Sequence, residues 1–284
     1  MTIDQNRRRC LEVAFAQLDT VAAGKAFPPP ESLATALEEV LPKKATGVTR
    51  VPVSPQLAAK FATAAVEVWL RAVHSFLVSA SLTDASPIWA STSGYYSSHY
   101  SVRALAHLLG HFQLFHLKKI VRLELQSGRL ACSFDGKKGR DREHRFYWNV
   151  VKQDPYFVSD PLFTDNDPGI DDSDVAHRNH ANYADHIFRF PVFRALDADT
   201  LRYRVQFISQ IQFTTPPIPK LSRFPDIESV QVVAYHRIVK FRQVLDEIIS
   251  GQHRFWGVHR NPSWTGGMIN FQLTEQGGLG SLAH

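Results

Sequence analysis

Histidine and arginine recur at four-residue intervals in one stretch of this chain: His99, Arg103, His107 and His111, the first three within SGYYSSHYSVRALAHLLG at 93–110. Residues four apart advance by about 400° on an α-helix, so Tyr96, Tyr100, Arg103 and His107 share one slowly drifting stripe, with His99 and His111 beside it. A guanidinium can hold a phosphate, and an imidazole can move a proton near neutral pH. The same spacing suits a packed interface in which the Arg and His side chains bond to neighbouring elements. His107 and His111 have a zinc-binding interval, but Leu108 stands where the zinc-protease pattern needs glutamate, and no acidic third ligand is near. Neither a metal nor a cofactor is expected.

A second piece, KKGRDREHRFYW at 137–148, is a cationic turn running into a helix with an aromatic face. Arg140 and His144 are four apart. If they faced one phosphodiester, Arg140 would stabilise developing negative charge and His144 would exchange the proton of a ribose 2′-hydroxyl or of the leaving oxygen, without a metal. Lys137, Lys138, Arg142 and Arg145, with Arg103 and His107 from the first piece, are the candidates for binding or orienting phosphate. A solvated basic loop before an amphipathic helix is the plainer interpretation of the same residues. Residues 118–145 hold nine Lys and Arg, whereas 153–177 hold seven Asp and no Lys or Arg. A basic surface with an acidic loop nearby is therefore expected. The acidic loop does not match a calcium loop: Gly169 falls at its fifth position, and Ala176 stands where the twelfth-position glutamate belongs.

Tyr95-Tyr96 followed by Arg103-Ala-Leu resembles a helix of the HEPN superfamily, all-helical proteins of prokaryotic toxins, antiviral systems and their eukaryotic relatives. Arg178-Asn-His-Ala-Asn-Tyr183 is similar to a late helix of the same family, and the resemblance spans residues 54–188. It implies a helical bundle, often a homodimer, whose active members cut RNA without metal through an Arg-(four to six residues)-His motif. Here Arg140 and His144 enclose three residues, as do Arg103 and His107, while Lys138 to His144 encloses five with a lysine lacking the planar fork of arginine. An RNA-directed protein, acting as a metal-independent endoribonuclease, is the first expectation. A noncatalytic module that binds RNA or a protein partner is the second.

These residues need a scaffold, and the hydrophobic pattern supplies a mainly α-helical one. Apolar periodicity predicts helices over 4–23, 31–41, 54–80, 88–116, 143–152, 174–187, 196–212 and 227–249. Ser54-Pro55 is an N-cap followed by proline in the first turn. Residues 120–125 and 129–134 alternate around Gln126-Ser127-Gly128 and predict a hairpin inserted in an otherwise helical chain. The expected organisation is an N-terminal helical segment (1–53), a HEPN-like helical bundle (54–250) with its hairpin near 120–134, and an irregular C-terminal tail (251–284). With 284 residues and 44% hydrophobic content a packed core is assured. Glu67, Arg71 and His74 interrupt the most apolar stretch, so no membrane helix is expected, and with no signal core after Arg7-Arg8-Arg9 the cytoplasm is the expected compartment. Two cysteines, Cys10 and Cys132, are too few for a disulfide framework. A net charge of +5 permits an acidic partner without requiring one.

Overall fold

The long helix that Ser54 and Pro55 announce is the axis of the molecule. In the computed structural model, which describes residues 5–22, 31–41, 48–114, 119–135, 143–164, 198–211 and 227–248, the Ser54 hydroxyl accepts the Leu57 N–H at 3.2 Å and starts α3, Pro55–Leu82. Before it come α1 (Gln5–Ala22), α2 (Glu31–Val40) and strand β1 (Val48–Pro52). After it come α4 (Pro87–Leu108), strands β2 (His111–Leu114), β3 (Lys119–Gln126) and β4 (Arg129–Asp135), then α5 (Glu143–Gln153) and α6 (Pro161–Thr164). Two further helices, α7 (Ala198–Gln210) and α8 (Ile227–Ile248), complete the described residues, giving eight helices and one small antiparallel sheet. The expected helix at 174–187, the late HEPN-like segment at 178–185 and the tail at 251–284 lie outside the described residues.

α3 is apolar on nearly every side because it serves two cores. One side joins α1, α4, α5 and α8 through Val66, Trp69, Val73 and Phe76, and the other joins α1, α2 and the sheet through Leu57, Phe61 and Ala64. By length and composition α3 could cross a membrane, contrary to the expectation from its scattered charges, but 72% of its most apolar window is buried inside this fold. It is a core helix. Three hydrogen bonds fix the register of α4 along α3: Ser79 Oγ donates to the Ala90 carbonyl (2.6 Å), Ser97 Oγ to the Ala72 carbonyl (2.8 Å), and His107 Nδ1 lies 3.4 Å from the Ala64 carbonyl. Positions on α3 fall as those on α4 rise, so the helices run antiparallel, as their short connection predicts.

The hairpin forms where alternation places it. Ser127 and Gly128 both take positive φ, 50° and 77°, which is the two-residue turn whose twist matches the strands. The sheet is larger than expected, with order β1-β4-β3-β2. β1 lies in what reads as a Val/Pro-rich linker, and Pro52 is tolerated because β1 is an edge strand. Its pairing with β4 continues the sheet across the expected boundary at residue 53, and α1 packs on α3 and β3. The helix expected to reach 116 instead stops at Leu108. Gly110 takes φ 77°, its N–H returns to the His107 carbonyl at 2.9 Å, and β2 begins at the next residue.

Gly94 marks the closest approach of α4 to its neighbours. A Cβ there would lie 2.8 Å from Val230 Cγ1 of α8 and 3.1 Å from Ser79 Oγ of α3. Gly94→Ala is therefore expected to destabilise the fold by about 1–3 kcal/mol through overpacking, although alanine is the better helix former. The midpoint of urea unfolding measures it, and an unchanged or raised midpoint would show that α8 is not closed on α4.

Candidate functional site

The two Arg- and His-bearing segments meet at Tyr147. α5 is amphipathic and buries Phe146, Tyr147, Trp148 and Val151, so Tyr147 is carried onto the face of α4 that holds the stripe. The Arg103 guanidinium lies over the Tyr147 ring, 5.3 Å from its centroid. His107 meets the same ring edge-on at 5.5 Å, and His99 lies at 6.5 Å. The Tyr147 hydroxyl accepts the Gln113 N–H at 3.0 Å and is 3.4 Å from the Gln113 carbonyl, tying α5 to β2.

Burial decides what this cluster can do. His107 is 3% and His99 2% exposed. His107 stacks on Phe112 at 4.4 Å, and burial together with the Arg103 charge holds its imidazole well below the usual histidine range. It is neutral at physiological pH and sealed from solvent, so it orients its neighbours without itself meeting an anion. Arg103 is half-buried. His111 leaves the stripe altogether, because Gly110 turns the chain into β2. Burial, Arg7 and Arg122 push its pKa down to about 3. Among the described residues, no three His, Cys, Asp or Glu side chains come together as a metal site.

On the second segment, Arg145 is exposed on the first turn of α5 and His144 belongs to the same turn. Lys137, Lys138, Arg140 and Arg142 lie outside the described residues. The sequence reading missed Arg237 of α8, which is wholly buried. Its Nε and Nη2 donate to the Leu162 carbonyl at 3.0 and 2.7 Å, and its guanidinium lies 4.6 Å from the Trp148 ring centroid. The signal was present: Arg237 sits where the buried series Val230, Ala234, Phe241 and Val244 requires an inward residue. Tyr147 and Trp148, adjacent on α5, thus bind α4 and α8 respectively.

Comparison with protein-family models, with curated proteins and with solved structures gives no match.

His107 and His111 both have folded pKa values below that of an unfolded histidine, about 6.5. On acidification the unfolded chain takes up these protons first. The stability they allow is complete above about pH 6.5 and is lost as pH falls, for His111 down to about 3. The urea midpoint of the wild type should drop between pH 7 and 5. His111→Gln should flatten that drop, and an identical slope in the variant would contradict the burial of this imidazole between two cations.

Proposed function

We propose that this protein is RNA-directed and that RNA engages the basic segment leading into α5. The supporting observation is the Arg103–Tyr147 contact. It makes the first turn of α5, with His144 and Arg145, a neighbour of the face of α4 that bears Arg103, so two of the cations assigned to phosphate, Arg103 and Arg145, come from adjoining helices. Arg140 and His144 are assigned the cleavage step, Arg140 stabilising negative charge on the phosphate and His144 exchanging the 2′-hydroxyl proton. The helical architecture and the Tyr95-Tyr96, Arg103-Ala-Leu pattern support a HEPN-like assignment, and the burial of α3, the strongly apolar helix among the described residues, is compatible with action in the cytoplasm.

A second reading, RNA or protein binding without cleavage, is favoured by a specific observation. Both imidazoles of α4 that lie on the described stripe are buried. They supply no exposed acid or base to the basic surface, and proton transfer would rest on His144.

Incubation with total RNA in EDTA separates the two. The first reading expects metal-free cleavage by the wild type and a loss of about 100-fold or more in the Arg140→Ala/His144→Ala variant at unchanged thermal stability. Salt-sensitive RNA retention without cleavage establishes the second reading. A folded double variant that still cleaves fully overturns the catalytic assignment, and a wild type that neither cleaves nor retains RNA overturns both.

A further inference from the structure

We propose that the hollow between the first turns of α1 and the open edge of β3 binds a phosphate-bearing nucleotide, with Arg9 and Arg122 as its phosphate ligands. The site is separate from α5 and does not depend on cleavage by Arg140 and His144. Its cavity is about 440 Å³, within the range of small-molecule sites. Arg7 and Arg9 approach from α1 and Arg122 from β3, while Cys10 and Leu125 provide apolar surface.

Three features make this more than a surface with arginines on it. The first is charge. Among the described residues, Glu124 is the sole carboxylate lining the cavity, and its Oε1 already accepts from Arg50 Nε at 2.7 Å. No carboxylate of the described residues forms an ion pair with Arg9 or Arg122, so an incoming phosphate meets two available cations instead of displacing a bound acid. The second is the backbone. β2 pairs only with residues 119–122, so among the described residues no strand pairs with the rest of β3 on that side. The Leu123 N–H points to that side and donates to the Gly110 carbonyl at 2.7 Å. Two residues on, strand alternation aims the Leu125 N–H the same way, into the open edge and toward the cavity it lines. The third is the mixed lining, mainly polar with a smaller apolar share at Leu125, which suits a base and ribose carrying a phosphate better than a bare anion.

The phosphate could belong to a free nucleotide or to an RNA terminus, and both are tested with the full-length chain. Isothermal titration uses AMP and adenosine, and anisotropy uses one short oligoribonucleotide with either a 5′-phosphate or a 5′-hydroxyl. AMP should bind, and adenosine should bind about tenfold more weakly or less. Arg9→Ala/Arg122→Ala should weaken AMP about tenfold or more while the melting temperature holds, since both side chains are exposed. Arg8→Ala is the control: it removes an equal charge from α1, but Arg8 pairs with Glu12 and does not line the cavity, so AMP affinity should stay within about twofold. Preference for the 5′-phosphorylated RNA, lost in the double variant, assigns the site to an RNA end. Equal binding of the two oligomers alongside AMP binding assigns it to a free nucleotide. Absence of AMP binding by the wild type, or an equal loss in Arg8→Ala, overturns the proposal without bearing on cleavage at α5.

Discussion

Gln231 of α8 donates from one nitrogen toward three oxygens at the C-terminal end of α3 and its cap residue: the Ser79 carbonyl at 3.1 Å, the Ser79 hydroxyl at 3.2 Å and the Thr83 hydroxyl at 2.7 Å. Ser79 in turn donates to the Ala90 carbonyl of α4. Three helices are pinned at this one buried polar node, and each bond there replaces a hydration that burial has removed. The node tolerates only small groups around it, which is why α4 presents Ala90, Ser91, Gly94, Ser97, Ser98 and Ser101 inward. A larger residue would separate the helices and leave the Gln231 amide without its acceptors. The azimuth of α4 follows from this seam. With its small residues turned to α3 and α8, the remaining face, bearing Arg103, is left to α5.

That division explains why the Arg and His stripe became a packing surface. A helix covered on two sides by close-packed neighbours has little perimeter left, and α5 covers part of it with Tyr147. His99 and His107 are consequently packed as rings within an aromatic cluster, His107 held neutral by burial and the Arg103 charge, while Arg103 rests on a ring face. Buried histidine exchanges proton chemistry for shape. The exposed arginines Arg9 and Arg122 lie away from this face, on α1 and β3.

The sheet serves the bundle as a cover. Its inner face, with Val121, Leu123, Leu130, Cys132 and Phe134, closes the second core beneath α1, α2 and the N-terminal half of α3. β2 is short because the chain must first turn at Gly110, where a positive φ bends it sharply and the Leu123 carbonyl leaves no room for a side chain: a Cβ would lie 2.9 Å from that backbone oxygen. The shortness of β2 in turn opens the edge of β3. One glycine thereby sets where the helical stripe stops and where the sheet is incomplete.

Most long helices were legible in the sequence because each carries many turns of one periodic signal, and α3 also had its cap, Ser54-Pro55. The hairpin was legible from alternation around Ser127-Gly128, a turn chemistry that needs no distant partner. β1 and β2 were not. Five residues ending in proline and four residues after a glycine hold too little periodicity to outweigh their surroundings, and only pairing with β4 and β3 makes them strands. The residue types of the candidate site and the likeness of Tyr95-Tyr96, Arg103-Ala-Leu to a helical superfamily also came from sequence alone. Burial did not. Whether His107 meets solvent or Phe112 depends on which elements close over α4, and whether Arg122 and Arg9 line one cavity depends on α1 packing on β3 from more than one hundred positions away. Local sequence determined the helices, the cap and the turn because those are local free energies, while the tertiary structure decided which charges were sealed and which were gathered, because desolvation and proximity are properties of the assembled fold.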